Sequence, residues 1–127
     1  MEEAFRALLL GSSGLTALVG SRINWGAQPQ GQPWPGIVLR LVSDFDGMTI
    51  SGPMKFKEAR VQVDAFALDY GTATQMARLI EARLNGHFGG IFDLIAFLDR
   101  RATREDGPTE ADRPYRQSLD FRIHYRS

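Results

Sequence analysis

The chain has no cysteine, which excludes structural disulfides, cysteine-ligated zinc, iron–sulfur clusters and thiol nucleophiles. It has no excess of either charge, because 15 Lys and Arg balance 15 Asp and Glu. A general electrostatic binder of nucleic acid carries a marked basic excess, so that class is disfavoured. Histidine is scarce: only His87 and His124 are present, far apart in sequence and without cysteine to complete a transition-metal set. No apolar run approaches the ~20 residues of a membrane span. The opening Met1-Glu2-Glu3 has the wrong charge for a signal-peptide start. These absences lead to the expectation of a soluble, cytoplasm-made protein with no cofactor, no metal and no membrane partner.

What is present fits one folded domain over residues 1–127. Apolar residues make up 43% and charged residues 24% of the chain, close to globular averages, which argues against wholesale disorder. A domain of this length buries enough surface to hold together without a metal or a crosslink.

Residues 1–10 read as a helix, with Glu2 and Glu3 at its positive end and Phe5, Leu8 and Leu9 on one stripe. Gly11 ends it, and Ser13 is placed to cap a second short helix that stops at Gly20. The stretch from Gly26 to Gly36 contains Pro29, Pro33 and Pro35, which excludes a helix or central strand and predicts a long surface loop flanked by Trp25 and Trp34. Ile37–Val42 reads as a strand, and Asp44–Lys57, rich in turn formers, as a hairpin or extended excursion. Glu58–Leu68 alternates Val61, Val63, Ala65 and Ala67 with Arg60, Gln62 and Asp64, a strand with small residues on one face. A helix begins at Thr72, with Gln75 completing a capping-box pattern, carries Met76, Leu79, Ile80 and Leu84 on one stripe, and ends at Asn85-Gly86. Ile91–Leu98 is apolar enough to be a strand covered on both faces, Asp99–Arg113 reads as an exposed charged loop, and Leu119, Phe121, Ile123 and Tyr125 mark a final strand. The order predicts an α+β fold: a mainly antiparallel sheet with one long helix and a short N-terminal helical pair on one face, joined by long loops.

No catalytic constellation emerges. His87, in Asn85-Gly-His-Phe-Gly-Gly90, is either a base on a mobile loop or a turn residue near a helix C-terminus. Asp44 and Asp46 are either a hard-cation pair or a solvated turn, and they lack the spacing of an EF-hand. Asp64 and Asp120 are placed to meet Arg60 or Arg122 across strands. Gly11-Ser-Ser-Gly14 lacks the Lys of a P-loop.

The N-terminal pattern Glu2-Glu3-Ala-Phe-Arg-Ala-Leu-Leu-Leu10, then Gly14-Leu-Thr-Ala-Leu-Val-Gly-Ser-Arg-Ile23, resembles the tail-completion, or tail-terminator, family of long-tailed (siphovirus-like) phages and gene transfer agents. The resemblance continues through Pro35-Gly-Ile-Val-Leu39 and Glu58-Ala-Arg-Val-Gln-Val-Asp64-Ala-Phe-Ala to Tyr115-Arg-Gln-Ser-Leu-Asp-Phe-Arg-Ile-His-Tyr125, where His124 stands in a place the family commonly fills with an aromatic residue. It implies a structural, non-enzymatic subunit of a homohexameric ring in a virion or phage-like particle. Such a ring caps the head-proximal end of the tail tube, contacts the major tail-tube protein, and offers the joining surface to the head–tail neck (stopper) protein. DNA passes through its bore without being read.

A ring needs a patch that meets a different patch on the neighbour. Long loops at residues 25–36, 43–57 and 99–113 are the natural material for it. Trp25, Trp34, Met54 and Phe56 are candidate interface anchors, or else pin their loops to the core. Arg100, Arg101 and Arg104 are candidates for fixing a partner's register from the charged loop. Two rival readings stand beside this one: another neck component, such as a stopper or adaptor, and a small ligand-binding or enzymatic domain with His87 at its site.

Overall fold

A computed structural model describes residues 1–46 and 56–126. Two short helices, α1 (Glu2–Leu10) and α2 (Ser13–Val19), lead into β1 (Ile23–Trp25). The chain continues as β2 (Gly36–Asp46), β3 (Phe56–Ala67), α3 (Tyr70–Leu84), β4 (Phe92–Arg104) and β5 (Tyr115–Arg126). A 3-10 turn at Glu110–Asp112 interrupts the β4–β5 connection. The five strands form one sheet in the order β1-β2-β3-β5-β4, antiparallel except where β1 runs parallel to β2. The α+β architecture read from the sequence is present. Among the described residues no helix is long and apolar enough to cross a membrane.

The core lies between the helices and one face of the sheet. Residues paired across neighbouring strands share a face, so the row Leu39–Val63–Leu119 and the row Leu41–Val61–Phe121 both point towards the helices. Val61, Val63, Phe121 and Ile123 are fully buried, as are Met76 and Ile80 of α3 above them. Ala59, Ala65 and Ala67 keep the helix-facing side of β3 shallow, and they are buried in one core with Ala73, Ala77 and Leu84 of α3, which packs on β3 and β5. Phe5 and Leu9 of α1, and Leu15 and Val19 of α2, close the same layer.

Several local expectations shift. Ser12, not Ser13, caps α2, its hydroxyl accepting from the Leu15 amide at 3.4 Å. Asp69, not Thr72, caps α3, its carboxylate accepting from the Thr72 amide at 2.9 Å and the Thr72 hydroxyl at 3.2 Å. A carboxylate favours the positive helix end more strongly than a hydroxyl, so the helix starts two residues early. Trp25 lies on a strand that the sequence reading left in a loop, because three residues are too few to show an alternation.

The largest correction concerns residues 99–113. Asp99 to Arg104 continue β4 and pair with β5 down to Tyr115. Their charges follow the strand period, Asp99, Arg101 and Thr103 on the open face and Arg100, Ala102 and Arg104 on the helix face. Among the described residues nothing covers either side of the sheet there, and residues 99–104 are exposed, so no apolar alternation marks the strand. Ile91–Leu98, expected to be covered on both faces, instead opens the marginal strand, with Leu94 at 42% and Leu98 at 37% exposure.

Replacing Val63 by Asp sets an unpaired carboxylate in the fully buried row beneath α3. We expect a loss of about 3 kcal/mol or more in urea unfolding, whereas exposed Arg60→Ala stays within about 0.5 kcal/mol. Wild-type unfolding behaviour in Val63→Asp would show that this face is not the core.

Candidate interaction surfaces

Among the described residues no helix covers the open face of the sheet, which is organised by charge. Asp64 is completely buried on it. Its carboxylate accepts from Arg40 Nε at 3.1 Å, Arg116 Nη2 at 2.9 Å and Gln62 Nε2 at 2.9 Å. Arg116 also reaches Glu105 at 3.2 Å and lies over the Phe66 ring at 5.6 Å. Burial disfavours the Arg116 charge, but the Asp64 carboxylate outweighs it and holds the guanidinium pKa above its ordinary value. Asp64 was expected to meet Arg60 or Arg122; it pairs instead with Arg40 and Arg116, its diagonal neighbours in the register.

A second cluster stands at the margin. Asp99 and Asp120 are paired directly across β4 and β5, a repulsive arrangement. Arg101 offsets it, bridging Asp99 at 3.0 Å and Asp120 at 2.8 Å. Partial burial pushes the Asp120 carboxyl up, yet the Arg101 hydrogen bond prevails and holds it below its ordinary 3.8. Asp120, also expected to meet Arg60 or Arg122, thus has Arg101 as its ion-pair partner, while Arg122 and His124 both approach Glu58, at 3.8 and 3.4 Å.

The proline-containing segment folds over part of the open face. Gln28 Nε2 donates to the carbonyls of Gln32 and Pro33, each at 3.0 Å, and Trp34, preceding a cis Pro35, stacks 4.8 Å from Phe66. Between this segment and residues 105–114 runs a groove of about 470 Å3, with Val38, Arg40, Phe66 and Arg116 in its lining. Two segments read from the sequence as separate surface loops therefore face each other.

The candidate anchors are not gathered in one place. Trp34 lines this groove. Trp25 sits at the β1 margin, half-buried, 5.9 Å from the Phe5 ring, its indole donating to the Glu2 carbonyl at 3.0 Å. Phe56 opens β3 opposite Arg126, and Met54 lies outside the described residues. Of the three arginines, all on β4 and not in a loop, Arg101 is held in its acidic cluster. Arg104 lies over the Tyr115 ring at 4.7 Å and pairs with Glu110 at 2.8 Å. Arg100 is exposed and makes no ion pair among the described residues.

Of the groups considered for chemistry, His87 and Asp44 are engaged structurally. His87 meets the Phe92 ring edge-on at 6.0 Å, and its backbone is bonded to Leu84 and Ile95. Asp44 accepts from the Tyr125 hydroxyl at 2.8 Å. Among the described residues no three His, Cys, Asp or Glu side chains converge on a metal-sized site.

Residues 3–126 match the family described as Tail completion protein gp17. The chain belongs to the tail completion protein gp17 family. Its fold is similar to that of a chain in the virion of a native gene transfer agent (GTA) particle, with a TM-score of 0.68 and 25% sequence identity, over 100% of this chain and 95% of that one. No curated protein sequence matches. The tail completion member described here is thus a structural protein of a phage-type tail, located in a virion or phage-like particle. The sequence reading missed Phe88, 76% exposed beside His87, because an apolar residue in a glycine-rich turn carries no periodic signal.

Both charge clusters give measurable expectations. Asp64→Ala leaves two arginines without their shared buried partner and should cost about 2 kcal/mol in chemical unfolding, discounted because both guanidinium groups reach solvent; Arg40→Ala should cost under about 1 kcal/mol. Equal losses would mean that Asp64 is not the centre of the cluster. The Asp120 pKa is lower folded than unfolded, so its contribution is present above the ordinary carboxylate range and fades as pH falls through and below about 4. Asp120→Asn should lower the neutral-pH melting temperature and flatten its fall below that pH, as read by scanning calorimetry from pH 7 to 2.5.

Proposed function

We propose that this protein is a ring-forming tail terminator that acts as one unit over residues 1–127. Six copies close into a homohexamer on the head-proximal end of the tail tube, stop its growth, and present the surface to which the head joins. The observation that carries this reading is the match to the tail completion family over residues 3–126, joined to likeness along the whole chain with a component of a gene transfer agent virion.

The partners in this reading are further copies of the chain, the major tail-tube protein and the neck stopper protein, with DNA passing through the bore unread. The balanced charge suits a bore that must not hold DNA. The role assigned is scaffolding rather than catalysis, and the geometry supports it: His87 and Asp44, two of the groups considered for chemistry, are tied into a turn and to a tyrosine hydroxyl. The Trp34 groove and the margins of the sheet supply several distinct surfaces, as a subunit with neighbours on each side and partners above and below requires. Trp25, Trp34, Met54, Phe56, Arg100, Arg101 and Arg104 remain the residues assigned to these contacts.

Particles made without this chain should carry tails of irregular, extended length or tails unjoined to heads when viewed by negative stain, and supplying the wild-type chain should restore them. Purified protein, alone or with tube ends, should assemble to six times the 14.2 kDa chain mass. Normal joined tails in its absence would overturn the reading.

A further inference from the structure

Each margin of the sheet is closed along one half and open along the other. β1 pairs with β2 only from Ile37 to Leu39, and its ladder ends where Gly26 donates to the Leu39 carbonyl at 2.8 Å. Beyond that point the outer side of β2, from Leu41 to Asp46, has no strand partner among the described residues. The opposite margin is closed at the other end. There the turn after α3 caps the first half of β4. Gly86 donates to the Ile95 carbonyl at 2.8 Å, Ile95 to that of His87 at 3.0 Å, and the Phe97 amide to Asn85 Oδ1 at 3.1 Å. From Asp99 to Arg104 the outer side of β4 has no strand partner among the described residues, and every side chain there is exposed.

The backbone groups of these two open stretches are aimed outward. Glu105 donates to the Pro114 carbonyl at 3.0 Å, towards β5. By the alternation of an antiparallel ladder, the amides and carbonyls of Arg100, Ala102 and Arg104 therefore point away from the sheet. On β2, Ile37 and Leu39 address β1. The register shift between Leu41 and Ser43 makes Val42 an extra, bulged residue, so Leu41 and then Asp44 address the open side. β2 and β4 run in opposite directions, because every neighbouring pair from β2 through β3 and β5 to β4 is antiparallel. An unpaired edge of this kind is a template for another chain.

The two edges are complementary in charge and in step. Arg100, exposed and without an ion pair among the described residues, and exposed Asp44 both lie on the helix side of the sheet. Asp44 accepts from the Tyr125 hydroxyl, and a carboxylate has lone pairs left for a guanidinium. Arg100 shares its row with Leu119, Val63 and Leu39, which is about four residues below Asp44 once the bulged Val42 is discounted. Setting Arg100 of one copy opposite Asp44 of the next therefore staggers successive copies by that amount. Over four strands, at ~3.3 Å per residue and ~4.8 Å per strand, the stagger tilts the strands by about 35°. Closing a sheet on itself requires a tilt of roughly 35–45°, so repeated copies in this register meet the condition for a ring. In the same register Ala102 faces Leu41, and the added strand runs out near Arg104, where β1 takes over the outer side of β2.

We propose that copies of this chain join edge to edge: the Asp99–Arg104 stretch of β4 in one copy adds antiparallel to the Leu41–Asp46 stretch of β2 in the next, with Arg100 facing Asp44. This assignment rests on the ring reading above. A second copy suits the open half of β2 because its β4 brings the opposite direction, a cation at the matching step and an end where β1 begins. The two edges differ, so the contact is head-to-tail and propagates around a ring instead of stopping at a twofold dimer. Main-chain hydrogen bonds supply the affinity, and the Arg100–Asp44 pair fixes the register. The arginines of β4 also discourage pairing with unrelated edges.

The full-length chain, free of cysteine, permits a direct test. Chains carrying both Asp44→Cys and Arg100→Cys, oxidised at assembling concentration with and without tail-tube ends, should give covalent ladders on a non-reducing gel. Facing residues of paired strands lie ~5.5 Å apart, within disulfide reach. Within one chain the two positions sit on β2 and β4, separated by β3 and β5, so no internal crosslink competes. Each single variant should stay uncrosslinked. Ala102→Pro removes an outward amide and no bond to β5, so rings should be lost while melting stays within a few degrees of wild type. Arg100→Asp should weaken self-association about tenfold by sedimentation velocity, and Asp44→Arg in the same chain should restore it. Arg100→Cys chains that crosslink to one another would show a twofold contact between β4 edges and overturn the assignment. Rings that persist in Ala102→Pro, with no ladders from the cysteine pair, would also overturn it and leave the ring itself standing; if those rings no longer bind tube protein, the β4 edge docks on the tube. A wild-type chain that never assembles, even on tube ends, would remove the ring reading and this pairing with it.

Discussion

Alanine at positions 59, 65 and 67 of β3 lets α3 lie low over the middle of the sheet, and the rest of the structure follows from that close seat. Larger residues there would lift Met76 and Ile80 away from Val61, Val63 and Phe121, and the apolar interior would lose its fit. Because α1 and α2 dock against the flank of α3, they too end up on this side. All three helices are therefore spent on one face of the sheet.

The other face has to be stabilised by different means. At its lower part the proline segment lays Trp34 on Phe66, and beneath that cover Asp64 is enclosed by two arginines and a glutamine. A fully buried carboxylate is tolerable only when its lone pairs are occupied, and here three donors occupy them. Towards the β4 margin none of the described segments covers it, and Arg101 holds two facing aspartates together. Such a face is ordered but not sealed, and it remains available to other proteins.

The buried half of this arrangement was legible in the amino-acid sequence, while the exposed half was not. Val61, Val63, Phe121 and Ile123 announce themselves by alternation because one side of each strand meets helices and the other meets solvent. Asp99–Arg104 has water on both sides, so its side chains were free to be charged, and it reads as a loop although its backbone is fully laddered to β5. The Asp64 cluster was hidden for another reason: its partners Arg40 and Arg116 are diagonal neighbours, and a diagonal depends on a register that one strand alone does not specify. Trp25 and Trp34 stood out as aromatic residues near prolines, but their separation to the β1 margin and the groove follows from the turn at Gly26. Phe88 lacked any periodic context.

The strand order has a consequence for how the chain reaches this state. β3 pairs along its full length with β5, and the whole of α3 and β4 lies between them in the chain. That central ladder cannot form until this long intervening segment has been brought round, so an entropic search precedes the first large gain in stability. Topologies dominated by such distant pairings fold on a timescale of roughly milliseconds to seconds, far slower than helical bundles of equal size. For that interval the apolar stripes of β3 and β5 are without partners, and each newly made chain is most prone to mispairing with another.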